Sequence, residues 1–265
     1  MGAPGMTSSQ PAIGTCAIEV QHLTVGYGSN ILMNDLNFTV NNGEIFVILG
    51  GSGCGKSSLL KNLFGLYQPL SGDVLIEGQN ITIAQGVQRQ KIMTSFGVMY
   101  QQGALFGSMN LLDNVMLFMQ EYTQLTQGQM ALLARCKLDL VGLLPYETYM
   151  PSEISGGMQK RAAIARAMAL DPKILFLDEP SAGLDPITSA DLDRTILDLS
   201  RNLGITFVFV SHELASIYAI ADKVIMLDKG AKGIIAEGDP KVLRDTSTDP
   251  RVHQFFNRIM SKDVA

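Results

Sequence analysis

The sequence predicts an α/β protein: a mostly parallel sheet buried between helices, preceded by an antiparallel β subdomain and interrupted by a helical subdomain. Three observations carry that prediction. Phe96-Gly97-Val98-Met99-Tyr100, Ile174-Leu175-Phe176-Leu177 and Thr206-Phe207-Val208-Phe209-Val210 are short and nearly all apolar, as strands covered on both faces must be. A glycine-rich stretch, Gly50 to Ser57, directly follows another apolar run, Glu44 to Leu49. Between Gly103 and Ser152 the pattern turns helical.

The elements follow in chain order. Residues 1–16 are mostly Gly, Ala, Pro, Ser and Thr, with no charged start and no apolar core. They read as a loose arm, neither a secretory signal nor an anchor. Ile18-Glu19-Val20, His22-Leu23-Thr24-Val25 and Leu36-Asn37-Phe38-Thr39-Val40 alternate as antiparallel strands do, and Asn41-Asn42-Gly43 is a turn. Residues 72–78 read as another such strand. In the helical insert, about residues 103–170, Leu132, Leu133, Leu140, Val141, Leu143 and Leu144 recur near helical spacing. Asp228-Lys229-Gly230 is a turn between two apolar segments. In the tail, residues 241–265, Val252, Phe255, Phe256 and Ile259 fall on one helical face, expected to pack on another protein or on a second copy.

Composition bounds the function. The 265 residues carry a formal charge of −5 with no basic run, which argues against a nucleic-acid partner. Hydrophobic residues make up 46%, with 14 Met and a mean hydropathy of +0.18, yet no apolar stretch approaches the ~18 residues needed to span a bilayer. That excess fits either an apolar docking surface or a well-filled core. Cys16, Cys54 and Cys136 show no paired spacing, so neither a disulfide framework nor a zinc site is expected.

The chemistry starts at Gly50-Gly51-Ser52-Gly53-Cys54-Gly55-Lys56-Ser57, with Ser58 next along at the start of a helix. This is a phosphate-binding loop: glycines let backbone N–H groups close around a phosphate, Lys56 adds a point charge near the β/γ oxygens, and the Ser57 hydroxyl suits a Mg²⁺ ligand. Asp178 and Glu179 end the strand that begins at Ile174, at the ligand-facing edge of a parallel sheet. Asp178 is expected to hold the Mg²⁺ shell and Glu179 to orient or deprotonate the attacking water. His212 follows the neighbouring strand, where a γ-phosphate contact is natural. Gln101, at the end of the Phe96 strand, can reach the Mg²⁺ or the water.

Ser155-Gly156-Gly157 opens the helix that runs through Ala167, with Ser155 as cap and bare N–H groups at its positive end. This second anion site is one more than a single nucleotide needs. It fits either a capped helix with flexible glycines or a site for the nucleotide of a second copy arranged head to tail.

The ordered series resembles the ATP-binding-cassette (ABC) ATPases among the P-loop NTPases: Walker A Gly50 to Ser57, Q-loop Gln101, signature Ser155 to Gly157, Walker B Asp178 with Glu179, D-loop Ala182-Gly183-Leu184-Asp185 and H-loop His212. The resemblance covers residues 17–240 and implies a homodimer clamping two MgATP, with Asp185 at the nucleotide interface and Tyr27 as the aromatic that stacks on adenine. It also implies integral membrane permease subunits and a peripheral place on the cytoplasmic face of a bacterial inner membrane. Met158, where the family usually has Gln, and residues 102–109 and 249–252 are similar to the ABC ATPases of Mla and Mce-type lipid transport. That subgroup implies phospholipid transport between inner and outer membranes, maintaining outer-membrane lipid asymmetry, with an MCE-domain lipid-binding protein and a small STAS-like subunit. The rivals are an importer of a polar nutrient and a soluble remodelling cassette. Leu105, Phe106, Met109, Leu111 and Leu112, beside Gln101, either dock a membrane subunit or pack the helical insert.

Overall fold

The structure, a computed structural model, describes residues 16–257. The arm therefore lies outside it, apart from Cys16, which begins the first strand rather than ending the arm. Strands β1 (Cys16–Tyr27) and β2 (Asn30–Asn41) form a long hairpin, extended by β4 (Ser71–Ile76) and β5 (Gln79–Asn80) in the antiparallel order β2-β1-β4-β5. The two alternating segments of β1 are one strand, irregular at His22, where φ is 48°. Asn41 to Gly43 do not close this hairpin but lead out of it into the next strand, β3 (Ile45–Gly50).

The central sheet joins β3 with β6 (Phe96–Met99), β7 (Ile174–Asp178), β8 (Thr206–Val210), β9 (Lys223–Asp228) and β10 (Gly233–Gly238) in the order β10-β9-β3-β8-β7-β6. All neighbours are parallel except β10 with β9. The apolar runs are explained by two cores. Ile45, Val47, Leu175, Leu177, Phe207 and Phe209 face one core, while Phe46, Ile48, Ile174, Phe176, Val208 and Val210 face the other, so polar residues on β7 and β8 are confined to the strand ends, Asp178 and Thr206. The second core also takes Leu59, Leu60 and Leu63 of α1 (Lys56–Leu63) and the inner face of the antiparallel sheet.

A short helix, α2 (Gly86–Met93), precedes β6. The insert holds α3 (Leu111–Tyr122), α4 (Gln127–Leu140) and α5 (Gly156–Ala167). On α4 the buried face is Met130, Ala134 and Leu138; of the residues whose spacing marked the insert, Val141 and Leu143 are buried just after it, while Leu132 is 63% exposed and Leu140 is also exposed. Asp185 caps α6 (Pro186–Leu203), with Pro186 at its first position and Gly204 in the left-handed conformation at its end. Helix α7 (Leu214–Ile220) follows β8. The chain then forms α8 (Pro240–Thr246) and α9 (Pro250–Asn257). The tail corrects a further expectation. Val252 and Phe256 are buried in the chain's own core, and the Phe256 ring lies 6.0 Å from that of Tyr218. Their apolar area is therefore spent within the protomer rather than on a partner; Ile259 falls outside the described residues. Among the described residues no helix is long and apolar enough to cross a membrane.

Candidate functional site

Four parallel strands end at one edge of the sheet, and their order β3-β8-β7-β6 brings together residues far apart in sequence. The loop after β3 needs its glycines. Gly50, Gly53 and Gly55 have φ of 146°, 70° and 100°, and a Cβ on Gly50 would lie 2.5 Å from the Leu227 carbonyl oxygen and 2.7 Å from Cys54 Sγ. Cys54 is buried against the loop, and this desolvation pushes its thiol pKa up. Lys56 Nζ donates to the carbonyls of Gly50 at 2.9 Å and Gly51 at 3.0 Å, so its ammonium lies folded over the loop.

Ser57 Oγ donates to Asp178 Oδ1 at 3.1 Å across 121 residues of sequence. This pair of hard oxygens, with Gln101 nearby, fits Mg²⁺, a cation held by few protein oxygens that otherwise binds phosphate and water oxygens. Glu179 adopts φ 48°, which turns its side chain between two partners. Gln101 Nε2 donates to its Oε2 at 3.1 Å, and His212 Nδ1 stands 3.6 Å from its Oε1. Tyr27 is exposed, with its hydroxyl 2.9 Å from Ser58 Oγ and its ring edge-on to Tyr67 at 5.8 Å.

The remaining sequence candidates lie elsewhere. Ser155 Oγ accepts from Met158 N at 3.3 Å, capping α5. No hydrogen bond or ion pair among the described residues joins residues 155–157 to residues 50–58. Gly157 has a packing reason the sequence did not reveal: a Cβ there would lie 2.2 Å from Thr188 Cγ2 at the start of α6. Asp185 accepts from Ile187 N, Thr188 N and Thr188 Oγ1, and the Thr188 hydroxyl bond above all lowers its carboxyl pKa. Its carboxylate is thus committed to capping α6 within the protomer. The starts of α5 and α6 therefore lie against each other.

Sequence reasoning missed the buried polar groups behind the site. Ser189 Oγ donates to Glu213 Oε2 at 3.0 Å and sits 3.5 Å from Ser216 Oγ, linking α6 to the residue after His212. Beside them Asp193 is 9% exposed, and burial pushes its pKa up to about 6, opposed by a bond from Ser216 and reinforced by the charge of Glu213. The folded state thus holds a proton here that the unfolded chain gives up near 3.8, so stability from this group falls as pH rises from about 4 to about 6 and then levels. Asp193→Asn is expected to raise stability by about 2–3 kcal/mol at pH 7.5, with the gain shrinking towards pH 4, as measured by urea unfolding. A pH-independent difference would refute the assignment.

A glycine-rich loop and a carboxylate pair at one sheet edge, with a second helix opened by Ser155-Gly156-Gly157, fit the ABC ATPase class of fold, and the comparisons show that class. Residues 33–182 match the family model for the ABC transporter, and the chain belongs to that family. It is an ATP-binding, ATP-hydrolysing cassette. Over 241 residues it is 42% identical to the probable ribonucleotide transport ATP-binding protein Mkl of Mycobacterium leprae, covering 91% of this chain and 69% of that one. It covers 66% of the Mycobacterium bovis Mkl, so those relatives extend well beyond the matched part. Over 247 residues it is 37% identical to MlaF of Escherichia coli, the intermembrane phospholipid transport system ATP-binding protein, covering 93% and 91% of the two chains. The dimeric structure of the bacterial ABC transporter cassette MJ0796 superposes with a TM-score of 0.74 at 28% identity, over 84% of this chain and 98% of that one.

Proposed function

We propose that the chain powers a membrane transporter that moves phospholipid between the inner and outer membranes. Two copies bind head to tail, each holding MgATP on its own residues 50–58 and closing Ser155, Gly156 and Gly157 over the nucleotide of the other. The observation that supports the dimer is that Ser155 to Gly157 open a helix with bare N–H groups yet make no hydrogen bond or ion pair with residues 50–58 of their own chain among the described residues.

Within each site Lys56 and the loop N–H groups hold the triphosphate, and Tyr27 offers its exposed ring to the base. Ser57, Asp178 and Gln101 would hold Mg²⁺, which when bound would supply positive charge against the phosphoryl oxygens. Glu179, oriented by Gln101 and His212, takes a proton from the attacking water, and His212 donates towards the γ-phosphate. Once that phosphate leaves, the charge bridging the two copies is lost and the pair loosens.

A membrane subunit has a ready surface. A groove of about 450 Å³ between α2, β6, α3 and the end of α5 is lined by Leu66, Met93, Tyr100, Phe118 and Tyr122, all partly exposed. The stretch at residues 105–112 divides: Leu111 is buried and Leu105 and Leu112 pack on the core, while Phe106 is 47% exposed and stays open to a partner. In such a complex the chain sits as a peripheral subunit on the cytoplasmic face of the inner membrane, with an MCE-domain protein and a small STAS-like subunit as further companions. Likeness to MlaF over nearly its full length supports phospholipid as cargo, while likeness to Mkl favours a second reading, a polar cargo such as a ribonucleotide. Purifying the chain from detergent-solubilised membranes is expected to bring membrane subunits and phospholipid with it. A solute receptor without lipid would select the polar reading.

A further inference from the structure

One buried cation near the site has no role in the account so far. Lys160, on α5, is only 8% exposed and makes no ion pair among the described residues. Its ammonium donates to the main-chain oxygen of Gln101. Three residues on, Ala163 Cβ meets the backbone of Gly103, where an added Cβ would lie 3.4 Å away and where φ is +72°. Three residues further, Arg166, 6% exposed, donates to the oxygens of Ala104 at 2.5 Å and Gly103 at 3.0 Å. Residues 160, 163 and 166 form one i, i+3 ridge, and the segment 101–104 lies along it, held by two charged donors on three backbone carbonyls.

Burying an ammonium with no carboxylate in ion-pair contact is costly even though the charge of Glu179 favours it, and an apolar side chain of similar length would fill the space more cheaply. The charge therefore does something packing alone does not require. We propose that Lys160 is a positioning residue for hydrolysis: it ties the Gln101 main chain to α5, so the amide that orients Glu179 moves as one body with the Ser155–Gly157 turn. The inference rests on the reading above, in which that turn closes over the nucleotide of the second copy. Closure at one nucleotide then sets Gln101, and through it Glu179, at the other. The two sites are coupled through one helix of each protomer.

The test is steady-state hydrolysis of MgATP by the full chain carrying Lys160→Met, Lys160→Arg or Gly103→Ala. Lys160→Met is expected to lower kcat about tenfold with KM changed less than twofold and to abolish cooperativity in ATP. Lys160→Arg, which keeps the charged donor, is expected to recover to within about threefold of the parent. Gly103→Ala strains the segment through its φ of +72°, which a side chain beyond glycine rarely tolerates, while Lys160 stays in place, and is expected to repeat the kcat loss should Lys160→Met fail to fold. Parental kcat in Lys160→Met or in Gly103→Ala, a loss confined to KM, or an arginine variant as impaired as the methionine one overturns the proposal. Glu179→Gln, run alongside, separates the two failures: inactive there with parental kcat in Lys160→Met overturns the role of Lys160 alone. Parental turnover in both overturns the site on which it rests.

Discussion

Glu179→Gln is expected to lower ATP turnover by about 10²-fold or more, a rise of roughly 3 kcal/mol in the barrier, while nucleotide binding survives. The substitution keeps the shape of the side chain and leaves an oxygen to accept the 3.1 Å bond from Gln101, so the local geometry has no cause to collapse. What disappears is the only group between Gln101 and His212 able to accept a proton from water. Bound triphosphate then persists, and its charge holds the two copies together. The measurement is ATPase rate together with gel filtration in MgATP, where the variant should run as a dimer and the parent largely as a monomer. Normal turnover, or a lone nucleotide-bound subunit with Ser155 open to solvent, would contradict the assignment.

Lys56→Ala is expected to act one step earlier and weaken ATP binding by at least about 2 kcal/mol, roughly 30-fold in Kd. In the structure the ammonium bonds to the Gly50 and Gly51 carbonyls, a pair of contacts that a triphosphate can replace with stronger charged ones. The loop itself is set by its glycines and by the start of α1, so the fold should persist without the lysine. Titration with a fluorescent nucleotide reads the effect directly. Unchanged affinity would remove the phosphate-loop reading and with it the order of events proposed for the cycle.

Much of this was legible before any fold was available, because the signals are local. Apolar runs of four to six residues are too short for most helices and suit strands buried on both faces, and each of the four appears as a strand. Asp185-Pro186 at the start of α6 and Gly204 at its end bracket that helix by backbone conformation alone. Where the expectations failed, the deciding contact was distant. The buried face of α4 is set by what α3 and α5 present to it, and leucine spacing within one helix could not say that Leu132 would be left outside. The direction of the tail was likewise undecided until Tyr218 supplied a surface for Phe256.

The sequence by itself determined the class of sheet, the phosphate loop, the order of the chemical residues and the two helix starts that can hold anions, since each depends on conformations and caps readable within a few neighbouring positions. Only the tertiary structure decided that Gln101, Glu179 and His212 meet, that Gly157 packs against Thr188 at the start of α6, and that Lys160 and Arg166 are buried beneath residues 101–104. Those outcomes follow from the order of strands across the sheet and from how α5 packs against its neighbours. Contacts of that kind join residues tens of positions apart, and a lone lysine in a sequence carries no mark of whether water will reach it.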